Sequence, residues 1–162
     1  MNISDWIDAV GVLVSIAGVF VAIWVGYTLQ TVLTAERTIK DILIKRIDKL
    51  SDKYDLLYSK ILEEGINPRL ILSWFKSFNI EADALLKKAS EMYGIDSSFL
   101  KPFQADLREL ITNDESYMNN FKSEMFKPSN ALTNDIQGFH KNNHHLFLDL
   151  ICKINDQKTR RK

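Results

Sequence analysis

Several residue types that would indicate other kinds of protein are scarce or balanced in this sequence. The single cysteine, Cys152, excludes a framework of internal disulfide bonds, and its place on an apolar helical stripe predicts a packing role in a reducing compartment. Lysine plus arginine equals aspartate plus glutamate at 21 each, so a global basic excess of the kind that nucleic-acid binding uses is lacking. With six glycines, three prolines and no alternating strand pattern, the sequence favours an all-α protein.

The longest apolar run extends from Ala9 to Ala35 without a charged side chain, between Asp8 and Glu36. About 20 apolar residues are enough for a helix to span a hydrocarbon core of about 30 Å. A cleavable signal peptide is disfavoured, because no basic residue precedes the run and no small-x-small site ends it. The run therefore predicts a transmembrane segment in residues 1–35, followed by a cytoplasmic helical domain in residues 36–162.

The two sides of this predicted helix differ in bulk. At about 100° per residue, five small side chains fall on one stripe, whereas aromatic and leucine side chains point away from it. We name this the small-residue stripe: Gly11, Ser15, Gly18, Ala22 and Gly26. Small residues allow helix backbones to approach closely in lipid, where packing must drive association. The stripe thus predicts self-association into a homo-oligomer.

The flanks of the run predict how it crosses the bilayer. Trp6 and Trp24 are about 27 Å apart on a helix, close to the separation of the two aromatic belts, and Tyr27 follows as a further membrane anchor. Asp5 and Asp8 precede the run, whereas the basic residues follow it, and basic residues remain in the cytoplasm. We expect the amino terminus outside and the carboxy terminus in the cytoplasm.

Three polar residues lie beside the small-residue stripe on the helical projection: Asp8, Gln30 and Thr34. In a ring of helices that pack through the stripe, a neighbouring face turns inward. Polar side chains on such a face fit a water-filled lumen or a subunit interface better than a lipid face. These three are the pore-facing candidates.

Apolar residues recur with helical period through the rest of the chain. The predicted first helix continues to about residue 64 and ends at Gly65, and Asn67-Pro68 begins the second, which Gly94 ends. A third helix is expected from Asp96 to Lys127 and a fourth from Ser129. Similar lengths and short loops favour a cytoplasmic up-down four-helix bundle. The last helix would then return a polybasic tail toward anionic lipid, namely Lys158, Arg160, Arg161 and Lys162.

Only one polar cluster invites a chemical interpretation. His140 and His144 are one helical turn apart, a spacing that lets two imidazoles share a metal, but no adjacent third ligand is present. We therefore expect no metal and no cofactor, and a structural role for His140 at the edge of the core. Neither a phosphate-binding glycine loop nor a nucleophile motif occurs, so the chain is not expected to be an enzyme.

The expected helical bundle of this chain, with polar histidines on its last helix, resembles the HEPN family. Many members of that family are ribonucleases. Their motif is an arginine followed, after four to six residues, by a histidine. Here Lys141 precedes His145 at a shorter spacing and Asn134 precedes His140, and no arginine stands in that window before any histidine. The corresponding HEPN-like polar cluster is His140, Lys141, His144 and His145, and we identify no direct nucleic-acid site.

The arrangement of one amino-terminal membrane helix before such a bundle is similar to the membrane accessory proteins of type VI-B CRISPR systems, which accompany an RNA-guided RNA nuclease. This resemblance implies an inner-membrane protein that oligomerises into a pore and strengthens antiviral defence, with a cytosolic effector complex containing RNA as partner. Two alternatives remain open at this point: a membrane-tethered adaptor that recruits a cytosolic partner, and a divergent HEPN-like ribonuclease that uses His144 or His145.

Overall fold

A computed structural model describes the backbone of residues 3–157, and the side chains of that range except residues 3–14, Ile16 and Glu64. Every regular element in this range is helical, which confirms the all-α prediction. The elements are α1 (Ile3–Ser59), a π-helical turn (Lys60–Glu64), α2 (Pro68–Tyr93), α3 (Lys101–Thr112), α4 (Glu115–Asn120), α5 (Asn130–Asn143) and α6 (Leu146–Asp156). The polybasic tail lies outside the described residues.

Contacts along the chain divide it into two units, Met1–Ile39 and Lys40–Lys162, which we call the amino-terminal unit and the helical unit. Helix α1 contributes residues to both. The helical unit contains the core, and α1 supplies one side of it with side chains at helical spacing: Leu43, Ile47, Leu50, Tyr54, Leu57 and Ile61. Burial of such apolar faces is the main force that holds helices together in water.

The end of α1 depends on a glycine. After the π-helical turn, Gly65 adopts φ 79° and ψ 153°, a conformation that is essentially restricted to glycine. The next residue, Ile66, exchanges two backbone hydrogen bonds of 3.2 and 2.8 Å with Phe126. Phe126 is fully buried, so this short bridge fixes the chain between α4 and α5 against the core.

The predicted ends of the second helix are confirmed. The Asn67 side chain accepts a 3.0 Å hydrogen bond from the Arg69 backbone N–H, and Pro68 occupies the first turn, where a missing N–H is tolerated. At the other end Gly94 takes the left-handed conformation with φ 71°. Both boundaries follow from local backbone chemistry.

The predicted third helix is interrupted. Asp96 caps only a turn, by accepting from the Ser98 N–H at 2.8 Å, and α3 begins later at Lys101. The helix ends at Thr112, because Asp114 acts as an N-cap and accepts a 2.8 Å hydrogen bond from the Ser116 N–H. After α4 the chain leaves the helix, so that Phe126 reaches the core and Met125 beside it is exposed.

The predicted fourth helix begins as expected, since Ser129 Oγ accepts from the Leu132 N–H at 3.1 Å. It is divided at His144 and His145 into α5 and α6. The placement of Cys152 differs from the prediction of a packing role: the thiol is exposed, and Leu150 and Ile154 are buried instead.

The carboxyl end of α6 lies beside the start of the helical unit. Lys40 Nζ donates to the carbonyl oxygens of Asn155 and Gln157 at 3.0 and 3.2 Å. A lysine in this position satisfies carbonyls that a helix end leaves open and complements the helix dipole. The last described residues therefore return to Lys40, the end at which the helical unit begins.

Candidate functional site

The first candidate site is the apolar surface of α1 in the amino-terminal unit. Among the described residues, one helix is long and apolar enough to cross a membrane, and none of its apolar window is buried. Every residue from 17 to 35 is exposed, including the membrane-anchor candidates Trp24 at 69% and Tyr27 at 72%. A surface of this kind marks a membrane or a protein contact. The anchor candidate Trp6 lies outside the described side chains.

The described members of the small-residue stripe, Ser15, Gly18, Ala22 and Gly26, are exposed on α1. A Cβ atom built at Gly18 or at Gly26 would meet nothing within 4 Å. The fold of the single chain therefore does not require glycine at either position. Both glycines leave bare backbone surface that a neighbouring helix could approach closely. Gly11 lies outside the described side chains.

The polar residues near the end of the apolar run satisfy most of their own hydrogen bonds. The hydroxyls of Thr28, Thr31, Thr34 and Thr38 each donate to the carbonyl oxygen four residues earlier, at 2.7 to 2.9 Å. Gln30 makes no side-chain hydrogen bond to any described residue, and it shares a shallow groove with Thr34. Gln30 and Thr34 thus lie on one side of α1, and Asp8 lies outside the described side chains.

The second candidate site is a cavity of about 250 Å³ in the helical unit, between α1, α3 and the junction of α5 with α6. We call it the histidine cavity. Its lining residues are Ser51, Tyr54, Asp55, Tyr58, Phe103, His140, Asn143, His144 and Phe147. Two of the four residues of the predicted polar cluster, His140 and His144, line this cavity, whereas Lys141 and His145 do not.

The hydroxyl of Tyr58 is the least satisfied polar group at this cavity. The residue is 6% exposed, and its hydroxyl has no hydrogen-bond partner among the described residues. Burial raises the pKa of this phenol, and the nearby Tyr54 and Asp55 raise the pKa further. The hydroxyl therefore stays protonated far above neutral pH.

Tyr54, one helical turn before Tyr58, is satisfied by contrast. Its hydroxyl accepts a 3.1 Å hydrogen bond from Gln104 Nε2, and Gln104 is the buried polar residue of the described core. Burial raises the pKa of Tyr54 to about 12, while the bond from Gln104 lowers it in part. Its ring meets those of Phe78 and Phe103 edge to face, at 4.8 and 5.1 Å between centroids.

The histidines have separate partners. His140 lies with Nδ1 3.8 Å from Asp55 Oδ1, and its ring meets the Tyr58 ring at 4.7 Å between centroids. His144 Nδ1 lies 2.8 Å from the Lys141 carbonyl oxygen, which can only accept, so this nitrogen carries the proton. His145 Nε2 lies 3.7 Å from Asp149 Oδ2 on α6. In the neutral form of His144, Nε2 is therefore the acceptor.

The composition of the cavity limits its chemistry. Its lining contains one carboxylate, that of Asp55, and neither lysine nor arginine. No group of three or more histidine, cysteine, aspartate or glutamate side chains that could hold a metal occurs in the described part of the chain. Sequence reasoning missed Asp55 and Tyr58, because their meeting with the histidines depends on how α1 packs against α5, and it missed Asn143, which lies next to His144 at the end of α5.

Comparisons with known proteins were made at three levels. Protein-family models, curated proteins and solved structures each show no match to this chain.

Proposed function

We propose that the chain is a single-pass membrane protein that self-associates through the apolar part of α1 and forms a membrane pore or effector assembly. The observation that carries this proposal is the surface of residues 17–35, where an apolar helix has every residue exposed. Water does not stabilise so long an apolar surface, whereas a hydrocarbon core does.

The small-residue stripe supports contact between copies of this helix. Gly18 and Gly26 have open space where a Cβ atom would lie, so the fold of a single chain does not require glycine at either position. In lipid, association depends on close approach of backbones, and bare glycine surface permits it. The opposite side of the helix, with Phe20 and Trp24, faces lipid in this arrangement.

The proposed orientation has the amino terminus outside and residues 36–162 in the cytoplasm, where they form an up-down four-helix bundle. Support comes from the basic residues after the apolar run. A cysteine placed at Ser4, in a background lacking Cys152, is expected to react with an impermeant thiol reagent applied to intact cells. Protection at Ser4 together with labelling of the helical unit would contradict this orientation.

Gln30 is the proposed pore-facing group. Its amide has no hydrogen-bond partner among the described residues, whereas the neighbouring threonines satisfy their hydroxyls within the helix. An amide in hydrocarbon without a partner is costly, so contact with water or with another subunit is the favourable arrangement. Thr34, on the same side, would line the same path.

Dye leakage from liposomes containing the purified full-length chain tests the pore. Wild-type protein is expected to release dye, the Gly18→Leu, Ala22→Leu variant to release none, and Gln30→Leu to release it at an altered rate. Thr28→Leu is the matched control, because it removes a polar residue about 200° around the helix from Gln30 and should leave the rate unchanged. Tight liposomes that contain verified oligomers would contradict the pore.

We further propose a role in antiviral defence, with a cytosolic effector complex containing RNA as partner; the architectural resemblance described above is its support. Loss of protection against phage when the Gly18→Leu, Ala22→Leu variant replaces the wild type would agree with this role. Equal phage sensitivity of cells with and without the wild-type chain would contradict it.

The histidines are proposed to have no catalytic role. His140 contacts Tyr58 and Asp55, His145 faces Asp149, and the lining of the histidine cavity offers no cationic side chain to a phosphate. Purified wild-type protein is expected to leave RNA intact. A robust rate of RNA cleavage that the His144→Ala, His145→Ala variant abolishes would favour the ribonuclease instead.

A further inference from the structure

We propose that the histidine cavity is a binding site for a small organic cation, of the class of protonated primary amines on an aromatic or short aliphatic body. This site is independent of the proposed membrane assembly. The cavity lies wholly within the helical unit, and the residues around it come from α1, α3, the end of α5 and the start of α6.

The charge of the lining favours a cationic ligand over an anionic one. Asp55 supplies the one carboxylate of the lining, and this carboxylate is 58% exposed, so it can receive a ligand from solvent. His140 lies 3.8 Å from this carboxylate but is not within hydrogen-bond distance of it. A phosphate or carboxylate ligand would meet repulsion from Asp55 with no lysine or arginine to offset it.

The aromatic side chains of the lining favour an apolar group in the uncharged part of the ligand. Tyr54, Tyr58, Phe103 and Phe147 all line the cavity, and aromatic ring faces attract cations while ring edges and faces pack on apolar groups. A volume of about 250 Å³ is below the range typical for drug-sized ligands, so a single ring or a short chain fits better than a nucleotide.

His144 supplies a second polar group to the lining. Its Nδ1–H faces the Lys141 carbonyl oxygen at 2.8 Å, so in the neutral form of this imidazole Nε2 is the acceptor. An ammonium group beside Asp55 would donate to the carboxylate and to this nitrogen. The Tyr58 hydroxyl, which is buried from solvent, takes no part in this contact.

Calorimetric titration of the full-length chain in nonionic detergent with benzylamine tests the site. Benzyl alcohol, which has the same ring but no charge, is the ligand control. Wild-type protein is expected to bind one benzylamine per chain, at least tenfold more tightly than benzyl alcohol. Asp55→Asn should weaken benzylamine binding at least tenfold.

Asp52→Asn is the matched variant, since Asp52 is an exposed carboxylate on α1 that does not line the cavity. It should bind benzylamine as wild type does. Asp55 is largely exposed, so Asp55→Asn is expected to fold, and its helical circular dichroism verifies this. The absence of saturable benzylamine binding to wild type, or equal binding by the Asp55→Asn variant, would overturn the proposal.

Discussion

At the scale of single residues, Tyr54 and Tyr58 show how one helix face carries two different hydroxyls. Both lie on α1, one turn apart, and both are almost fully buried. Gln104 donates to the Tyr54 hydroxyl, whereas the Tyr58 hydroxyl has no partner among the described residues. A buried hydroxyl without a partner opposes folding, and a paired one supports it. The same chemical deletion should therefore have opposite effects at the two positions.

Tyr58→Phe is expected to leave the free energy of unfolding unchanged or to raise it by about 1 kcal/mol, because it removes an unpaired buried group. Tyr54→Phe should lower it by about 1 to 3 kcal/mol, because the Gln104 amide would be left buried without its acceptor. Denaturant unfolding of the full-length chain in detergent, followed by circular dichroism, measures both. A loss at Tyr58→Phe as large as that at Tyr54→Phe would contradict this account of the cavity.

Alkaline pH should act on the same tyrosines. An unfolded phenol titrates near its ordinary pKa of 10.0, and burial raises the pKa of folded Tyr54 to about 12. Above pH 10 the unfolded chain releases protons that the folded chain retains, so the contribution of Tyr54 is complete below pH 10 and is lost as pH rises through 12. Burial raises the pKa of Tyr58 in the same direction.

The measurement is the unfolding midpoint at pH 9 and pH 11. Lysines also titrate in this interval, so the informative quantity is the difference between wild type and Tyr58→Phe. The wild type should lose more stability than the variant over this interval. Equal losses in the two proteins would contradict a raised pKa for the Tyr58 phenol.

At the scale of elements, the helix boundaries depend on a few residues with special backbone chemistry. Gly65 follows the π-helical turn with φ 79°, and a Cβ atom there would lie 3.0 Å from Met125 Cγ and 3.2 Å from the Phe126 carbonyl oxygen. Gly138 lies inside α5, where a Cβ atom would meet nothing within 4 Å. One glycine is thus required by the fold, and the other weakens its helix.

Replacing each of these two glycines by alanine should have opposite effects on stability. Gly65→Ala is expected to lower the free energy of unfolding by about 1 to 3 kcal/mol, the cost of a strained backbone, and the tight contact with Phe126 adds to this loss. Gly138→Ala should raise it by about 1 kcal/mol through helix propensity. Thermal unfolding of both variants in detergent provides the comparison. Stabilisation by Gly65→Ala would show that the turn after α1 tolerates a side chain.

Helix boundaries show how far sequence reasoning extends. Asn67, Gly94 and Ser129 could be predicted as caps because their effect acts within a few residues. The end of α3 before Asp114 and the division at His144 could not be placed, since the local helical period continues through both. Contacts with distant parts of the chain accompany the break after α3: the Tyr117 hydroxyl on α4 donates to the Pro68 carbonyl at 3.0 Å, and Phe126, beyond α4, is buried in the core.

Prediction of the candidate sites met the same limit. Residues His140 and His144 could be singled out because they lie one turn apart, and the apolar run of α1 because its composition is continuous. Asp55 and Tyr58 lie far from the histidines in the chain, and only the packing of α1 against α5 brings them to one cavity. The exposure of Cys152 also escaped prediction, because half-buried Ile151 beside it continues the apolar run of α6.

At the scale of the whole molecule, the two units differ in how far their apolar side chains are buried. The helical unit buries its apolar side chains within one core, as expected of a domain in water. The amino-terminal unit leaves every residue from 17 to 35 exposed. We propose that lipid and other copies of the same helix cover this surface, with the small-residue stripe at the contact between copies.

The mass of the full-length protein in detergent tests this proposal most directly. Wild-type protein is expected to have the mass of several chains, and the Gly18→Leu, Ala22→Leu variant the mass of one, because leucine is favourable in lipid but prevents close approach of the helices. The control variant Phe20→Leu, Ile23→Leu places the same residue away from the stripe and should keep the wild-type mass. A monomeric wild type, or an unchanged oligomer in the Gly18→Leu, Ala22→Leu variant, would contradict self-association through this stripe.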